Sequence, residues 1–90
     1  MIRKSIRVFG QVQGVGFRYR ASYAAKELGL TGWVENLWDG SVQIEIQGPR
    51  LQVEKFLPAV EEGSFVRIDY AEETEMDVVE DERRFRVRGY

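Results

Sequence analysis

Gly14 and Gly16 stand one residue apart, just ahead of Arg18, in the run QVQGVGFRYR from Gln11 to Arg20. An alternating apolar run precedes them and a helical pattern follows. A helix N-terminus exposes unpaired N–H groups and a partial positive charge. Glycines let the preceding loop curl so that further N–H groups converge, and such a cradle binds phosphate. A guanidinium beside that positive end is unfavourable, unless an anion lies between the two. The fork of Arg18 matches two phosphate oxygens at once. The glycine pair alone also fits a plain strand-to-helix turn with a solvated arginine, since motifs this short match often by chance. Two other phosphate loops do not fit. The nucleoside-triphosphate loop ends in Gly-Lys-Ser/Thr, and the dinucleotide fingerprint needs a third glycine where Tyr19 stands.

What is missing narrows the chemistry further. The sequence has no cysteine and no histidine. No disulfide can staple the fold, and no thiolate or imidazole can serve as nucleophile, base or metal ligand. A cysteine-dependent phosphatase is excluded, and a zinc site is not expected.

Ninety residues, 43% of them hydrophobic and 31% charged, make one domain over 1–90 with a packed core. No apolar run approaches the ~20 residues that cross a bilayer, and no long apolar leader follows Met1, so a cytoplasmic protein without a membrane role is expected. The net charge of −2 is uneven. Seven acids and no base lie between Glu72 and Glu82, and this segment reads as a solvated loop.

The elements that must hold these residues follow from periodicity. Ile6, Val8 and Val12 share one face of an alternating run, with Gly10 in the gap, which predicts a strand. Phe17, Ala21, Ala24, Ala25 and Leu28 recur at helical spacing, and Gly29 suits a left-handed helix end. Val34 and Asn36 share a face of the next strand, TGWVENL, and Asp39-Gly40 signals a hairpin to the strand carrying Val42, Ile44 and Ile46. Val53, Phe56, Leu57 and Val60 mark a second helix, with a kink or an early end at Leu57 because of Pro58. Val66, Ile68 and Tyr70 form a fourth strand. Phe85 and Val87 suggest a short last one, whose place in the sheet the pattern leaves open.

This order, βαββαβ with a short C-terminal strand, predicts a ferredoxin-like α+β sandwich: an antiparallel sheet of core order 4-1-3-2, with two helices on one face. In that topology the first and second strands run parallel. Their C-terminal ends lie together, so Asn36 comes to the start of the first helix and to Arg18. Taken alone, Asn36 is a turn residue that bonds its own backbone. Lys4, Arg7 and the C-terminal arginines read as a solvated face. Trp33 reads as a packing aromatic, and Trp38 fits either packing or a substrate platform.

The segments GQVQGVGFR (Gly10–Arg18), LGLTGWVENLWDGSV (Leu28–Val42) and QIEIQG (Gln43–Gly48) resemble the acylphosphatase family in order and spacing, over nearly the whole chain. Gln11 and Glu35 stand where the family often has arginine, and EGSFV stands where it commonly has Gly-Pro after the second helix. The resemblance implies an enzyme that hydrolyses the carboxyl–phosphate bond of acyl phosphates, releasing carboxylate and inorganic phosphate. By motif position, Arg18 grips the phosphoryl group and Asn36 holds the attacking water. The backbone of Gln13, Gly14, Val15, Gly16 and Phe17 supplies the remaining donors. Neither metal nor cofactor is implied. Such domains also occur inside larger carbamoyl-transfer proteins, and for a chain opening at Met1 a free-standing monomeric enzyme is the simpler expectation.

Two rival classes stay in play. One is a non-catalytic phosphate- or protein-binding ferredoxin-like module, since fold does not fix function. The other is an RNA reader, which wants exposed aromatics and a basic sheet face. Gln43, Glu45 and Gln47 on the outer face of the third strand speak against nucleic acid.

Overall fold

In the computed structural model, which describes residues 1–89, the chain runs β1 (Ile2–Gln11), α1 (Phe17–Leu28), β2 (Thr31–Asn36), β3 (Val42–Gly48), α2 (Arg50–Glu54), α3 (Phe56–Glu61), β4 (Arg67–Met76) and β5 (Phe85–Arg88). The strands form one sheet in the order β4-β1-β3-β2-β5. The core order is the predicted one. The sheet is mixed rather than antiparallel, however, because β5 pairs parallel with β2, Val87 opposite Val34. Ile6, Val8, Val34, Val42, Ile44 and Ile46 from the sheet pack against Phe17, Ala21, Ala25, Val53, Phe56 and Val60 from the helices. α1 ends as its composition requires: Gly29 is left-handed at φ 69, and the Leu30 N–H reaches back to Ala25 O at 2.8 Å.

The second helix is broken, but not at Leu57. The interruption falls at Lys55, three residues before the proline. A proline ring clashes with the carbonyl four residues back, here that of Glu54, where α2 stops. The break places Pro58 in the first turn of α3, where a missing N–H costs nothing. The helix then continues through it, with Glu62 N–H bonded to Pro58 O at 3.0 Å.

The acidic segment is only partly the expected loop. Its first half is strand, since β4 runs to Met76 along β1. The reason is the basic residues beside it. Lys4 of β1 meets Glu73 at 3.1 Å, and Arg50 at the start of α2 meets Glu75 at 3.3 Å. The second half is a strap. It carries the chain from β4 at one edge across the outer face of the sheet to β5 at the other. Val79 exchanges two hydrogen bonds with the Gln47 carboxamide, at 2.8 and 2.9 Å. Under the strap lies Arg3, only 1% exposed. Its guanidinium donates to Glu45 (2.9 Å), Gln47 (3.0 Å) and Glu82 (2.8 Å).

The basic face is therefore not simply solvated. Arg7 donates to Ser41 Oγ at 3.0 Å and to Asp39 at 2.5 Å. Hydrogen bonds from the Ser41 hydroxyl and N–H, joined by the Arg7 charge, hold the Asp39 carboxyl below its ordinary value. Arg88 lies 4.2 Å from the centre of the Trp33 ring and 3.5 Å from Glu35. Trp33 thus serves as a packing surface, whereas Trp38 is 95% exposed.

Candidate active site

Three strands deliver their C-terminal ends to one end of the sheet: β1, β2 and β5, the last two parallel neighbours. The loop after β1 and the start of α1 close that end. Val12, Gln13, Gly14, Gly16, Phe17, Arg18, Tyr19 and Asn36 line a cleft of about 270 Å³ there. Arg18 and Asn36 are thereby brought together. Of the loop residues singled out from the sequence, Val15 alone is outside the lining, and its side chain packs against the core.

The loop geometry depends on its glycines. Gly14 and Gly16 have φ of 75 and 78, a region L side chains rarely enter. A Cβ at either position would meet no protein atom within 4 Å. The need for glycine is therefore conformational, and the space in front of the backbone is open. Gly16 is the N-cap of α1, which has no side-chain cap and no acid in its first turn. Its first N–H groups are thus left for a ligand. Gly14→Val should cost about 1–2 kcal/mol of backbone strain and place two methyls in the cleft. The inhibition constant of inorganic phosphate should rise on the order of tenfold, and unchanged phosphate affinity would show the loop to be merely structural.

Two contacts hold the cleft in shape, and both escape a reading of local pattern. Gln13 Nε2 donates to Leu37 O at 2.8 Å and to Ser41 O at 2.9 Å. This ties the glycine loop to the turn directly after Asn36. The Arg18 guanidinium donates to the carbonyl of Arg88 at 3.3 Å and to that of Gly89. The end of β5 therefore braces the arginine. Asn36 follows buried Val34 on the inner face of β2, as their alternation required. Its Oδ1 is the one buried side-chain polar atom among the described residues without a hydrogen-bond partner.

The cleft can bind an oxyanion. It offers amide donors, a helix N-terminus and a guanidinium, and among the described residues no carboxylate lines it. Among the described residues no group of three or more Asp, Glu, His or Cys is placed to hold a metal ion. Among the same residues no helix is long and apolar enough to cross a membrane.

Comparison with known proteins gives this cleft its context. The family model named Acylphosphatase matches residues 4–87. The chain belongs to the acylphosphatase family. It is 45% identical over 86 residues to an acylphosphatase of Clostridium perfringens, covering 94% of this chain and 97% of the relative. It is 42% identical over 88 residues to one of Geobacillus thermodenitrificans, covering 97% and 94%. The crystal structure of acylphosphatase from Bacillus subtilis superposes with a TM-score of 0.90 at 39% identity, over 99% of this chain and all of that one. The protein is an acylphosphatase enzyme with the ferredoxin-like fold, and its family acts on small acyl phosphates, releasing phosphate.

Proposed function

We propose that this acylphosphatase cleaves the carboxyl–phosphate bond by direct attack of a water held by Asn36 on a phosphoryl group gripped by Arg18 and the loop amides of Gln13 to Phe17. The observation that carries this reading is that one cleft holds the glycine loop, the α1 N-terminus, Arg18 and Asn36 together. The partnerless Oδ1 of Asn36 supports it. A buried acceptor left unbonded costs about 1–3 kcal/mol, and a ligand hydrogen would offset that cost.

The chemistry needs little more. An acyl phosphate is a mixed anhydride with a carboxylate leaving group, so a general acid adds little. Phosphoryl transfer asks mainly for positioning and charge stabilisation. The guanidinium and amides stabilise charge on the equatorial oxygens, while the carboxamide orients water. An amide is not a base, and neither histidine nor cysteine occurs in the sequence. A substrate phosphate oxygen therefore takes the proton. All the groups come from one chain, so a monomer suffices.

Asn36→Ala should lower kcat for benzoyl phosphate by about 10²–10³-fold, the usual loss for one transition-state hydrogen bond. Phosphate inhibition should change little. Retained activity would remove Asn36 from the mechanism. The wild-type enzyme should keep its rate in a chelator and cleave acetyl or benzoyl phosphate far faster than an alkyl phosphate, whose alkoxide leaving group needs an acid. Comparable rates on the two classes would contradict the mechanism, as would an essential enzyme base titrating near neutrality.

A further inference from the structure

Most cationic side chains in this protein have partners. Arg3, Lys4, Arg7, Arg50, Arg67 and Arg88 each meet a carboxylate, and Arg18 and Arg20 donate to backbone carbonyls. Lys26, Arg83 and Arg84 form no side-chain hydrogen bond or ion pair among the described residues, a condition shared only with Lys55 and Arg86. These three line a single cleft of about 360 Å³, between the last turn of α1 and the end of the strap. Ser22 stands in its wall, Leu30 and Phe85 form its apolar part, and among the described residues no carboxylate lines it.

Each ordinary explanation covers only part of this cluster. A cation near a helix C-terminus is favourable, which accounts for Lys26 but not for the arginines. The strap acids could have neutralised them. Yet Glu82 is held by Arg3 at 2.8 Å and bonded by Thr31, and Glu80 and Asp81 line a neighbouring concavity that Arg83 and Arg84 also border, without forming an ion pair with either arginine. Three like charges around one hollow repel each other, and an anion among them reverses the sign of the interaction.

We propose that this cleft is a second anion site, for an oligophosphate group, separate from the catalytic cleft. Guanidinium forks match phosphate oxygens in pairs. Three cations on two elements, around a space of this size, fit a chain of phosphates better than a single one. The site lies toward the opposite end of α1 from Arg18: Lys26 is eight residues further on, about 12 Å along the helix axis.

The test uses Arg18→Ala protein, so that the catalytic cleft does not compete, and tripolyphosphate as the probe in titration calorimetry. One equivalent should bind, more weakly at higher salt. Amide shifts should appear over Ser22–Thr31 and Arg83–Phe85. Adding Arg83→Ala and Arg84→Ala should weaken binding at least about tenfold, a loss of about 1.4 kcal/mol. Both arginines are exposed, so the fold should survive. In the otherwise wild-type enzyme the same pair should leave benzoyl phosphate turnover within about twofold. ATP run in parallel identifies the source. Binding with the same arginine dependence assigns the site to a nucleotide's phosphate chain, and tripolyphosphate binding alone assigns it to free oligophosphate. The proposal is overturned if neither binds, if the arginine pair is indifferent, if shifts are confined to Gln13–Arg18, or if inorganic phosphate binds as tightly as tripolyphosphate.

Discussion

Arg18→Ala should reduce kcat/KM for benzoyl phosphate by about 10³-fold or more, the range for an arginine that neutralises a transferring phosphoryl group. That corresponds to roughly 4 kcal/mol of lost transition-state stabilisation. The loss should show in two quantities at once. On the proposed mechanism phosphate competes for the same guanidinium, so its inhibition constant should rise as kcat falls. This sets Arg18→Ala apart from Asn36→Ala, where phosphate affinity should hold. Arg18→Lys refines the test. Lysine keeps the charge but not the planar fork, and it cannot both rest on the β5 carbonyls and pair two phosphate oxygens. Its activity should fall between wild type and alanine. Full activity in Arg18→Ala would place the site elsewhere.

The second large effect is on stability, at the other end of the molecule. Arg3→Ala leaves Glu45 and Glu82 facing each other under the strap without their shared cation. Removing one partner of a buried ionic cluster costs about 3–5 kcal/mol. At roughly 4–8 °C per kcal/mol for a domain this small, Tm should fall by tens of degrees. Burial pushes the Glu82 carboxyl up, but hydrogen bonds from Arg3 and Thr31, with the charges of Arg3 and Arg86, outweigh it and hold the group below its ordinary value. A carboxyl lowered on folding stabilises the native state above its unfolded pKa, about 4.3, and that stabilisation is lost as pH falls through the folded value. Wild-type stability should therefore drop on acidification in that window, and Arg3→Ala should show a smaller drop. Thermal melts between pH 3 and pH 7 measure both. A Tm within a few degrees of wild type would mean that the strap does not depend on Arg3. At temperatures where the variant is folded, catalysis should persist, because β1 separates Arg3 from the glycine loop by most of its length.

How far the sequence reveals this protein depends on the range of each interaction. The α1 boundaries and the Asp39-Gly40 turn follow from neighbours along the chain, and so they are legible. The meeting of Arg18 with Asn36 is also legible, because a split βαβ topology leaves little choice about where the strand ends go. Pro58 is visible as a breaker, but the clash it makes is with Glu54, which moves the break to Lys55. The charge of Glu72–Glu82 suggests solvent only if β1 is forgotten, since it is Lys4 across the ladder that makes Glu73 at home in a strand. Contacts such as Gln13 to Ser41, Arg3 to Glu82 and Arg18 to Arg88 join residues 28 to 79 positions apart. Nothing in local pattern marks them.

The course of β1 bears on any attempt to build with this domain. The strand enters at the strap and leaves at the glycine loop, so its ten residues carry the backbone roughly 30 Å, nearly the 31 Å of the longest dimension. Gly89, by contrast, lies against Arg18, the residue proposed to grip the phosphoryl group. A reporter or affinity handle grafted ahead of Ile2 leaves the mouth of the enzyme clear. The same handle spliced on after Gly89 stands in the doorway.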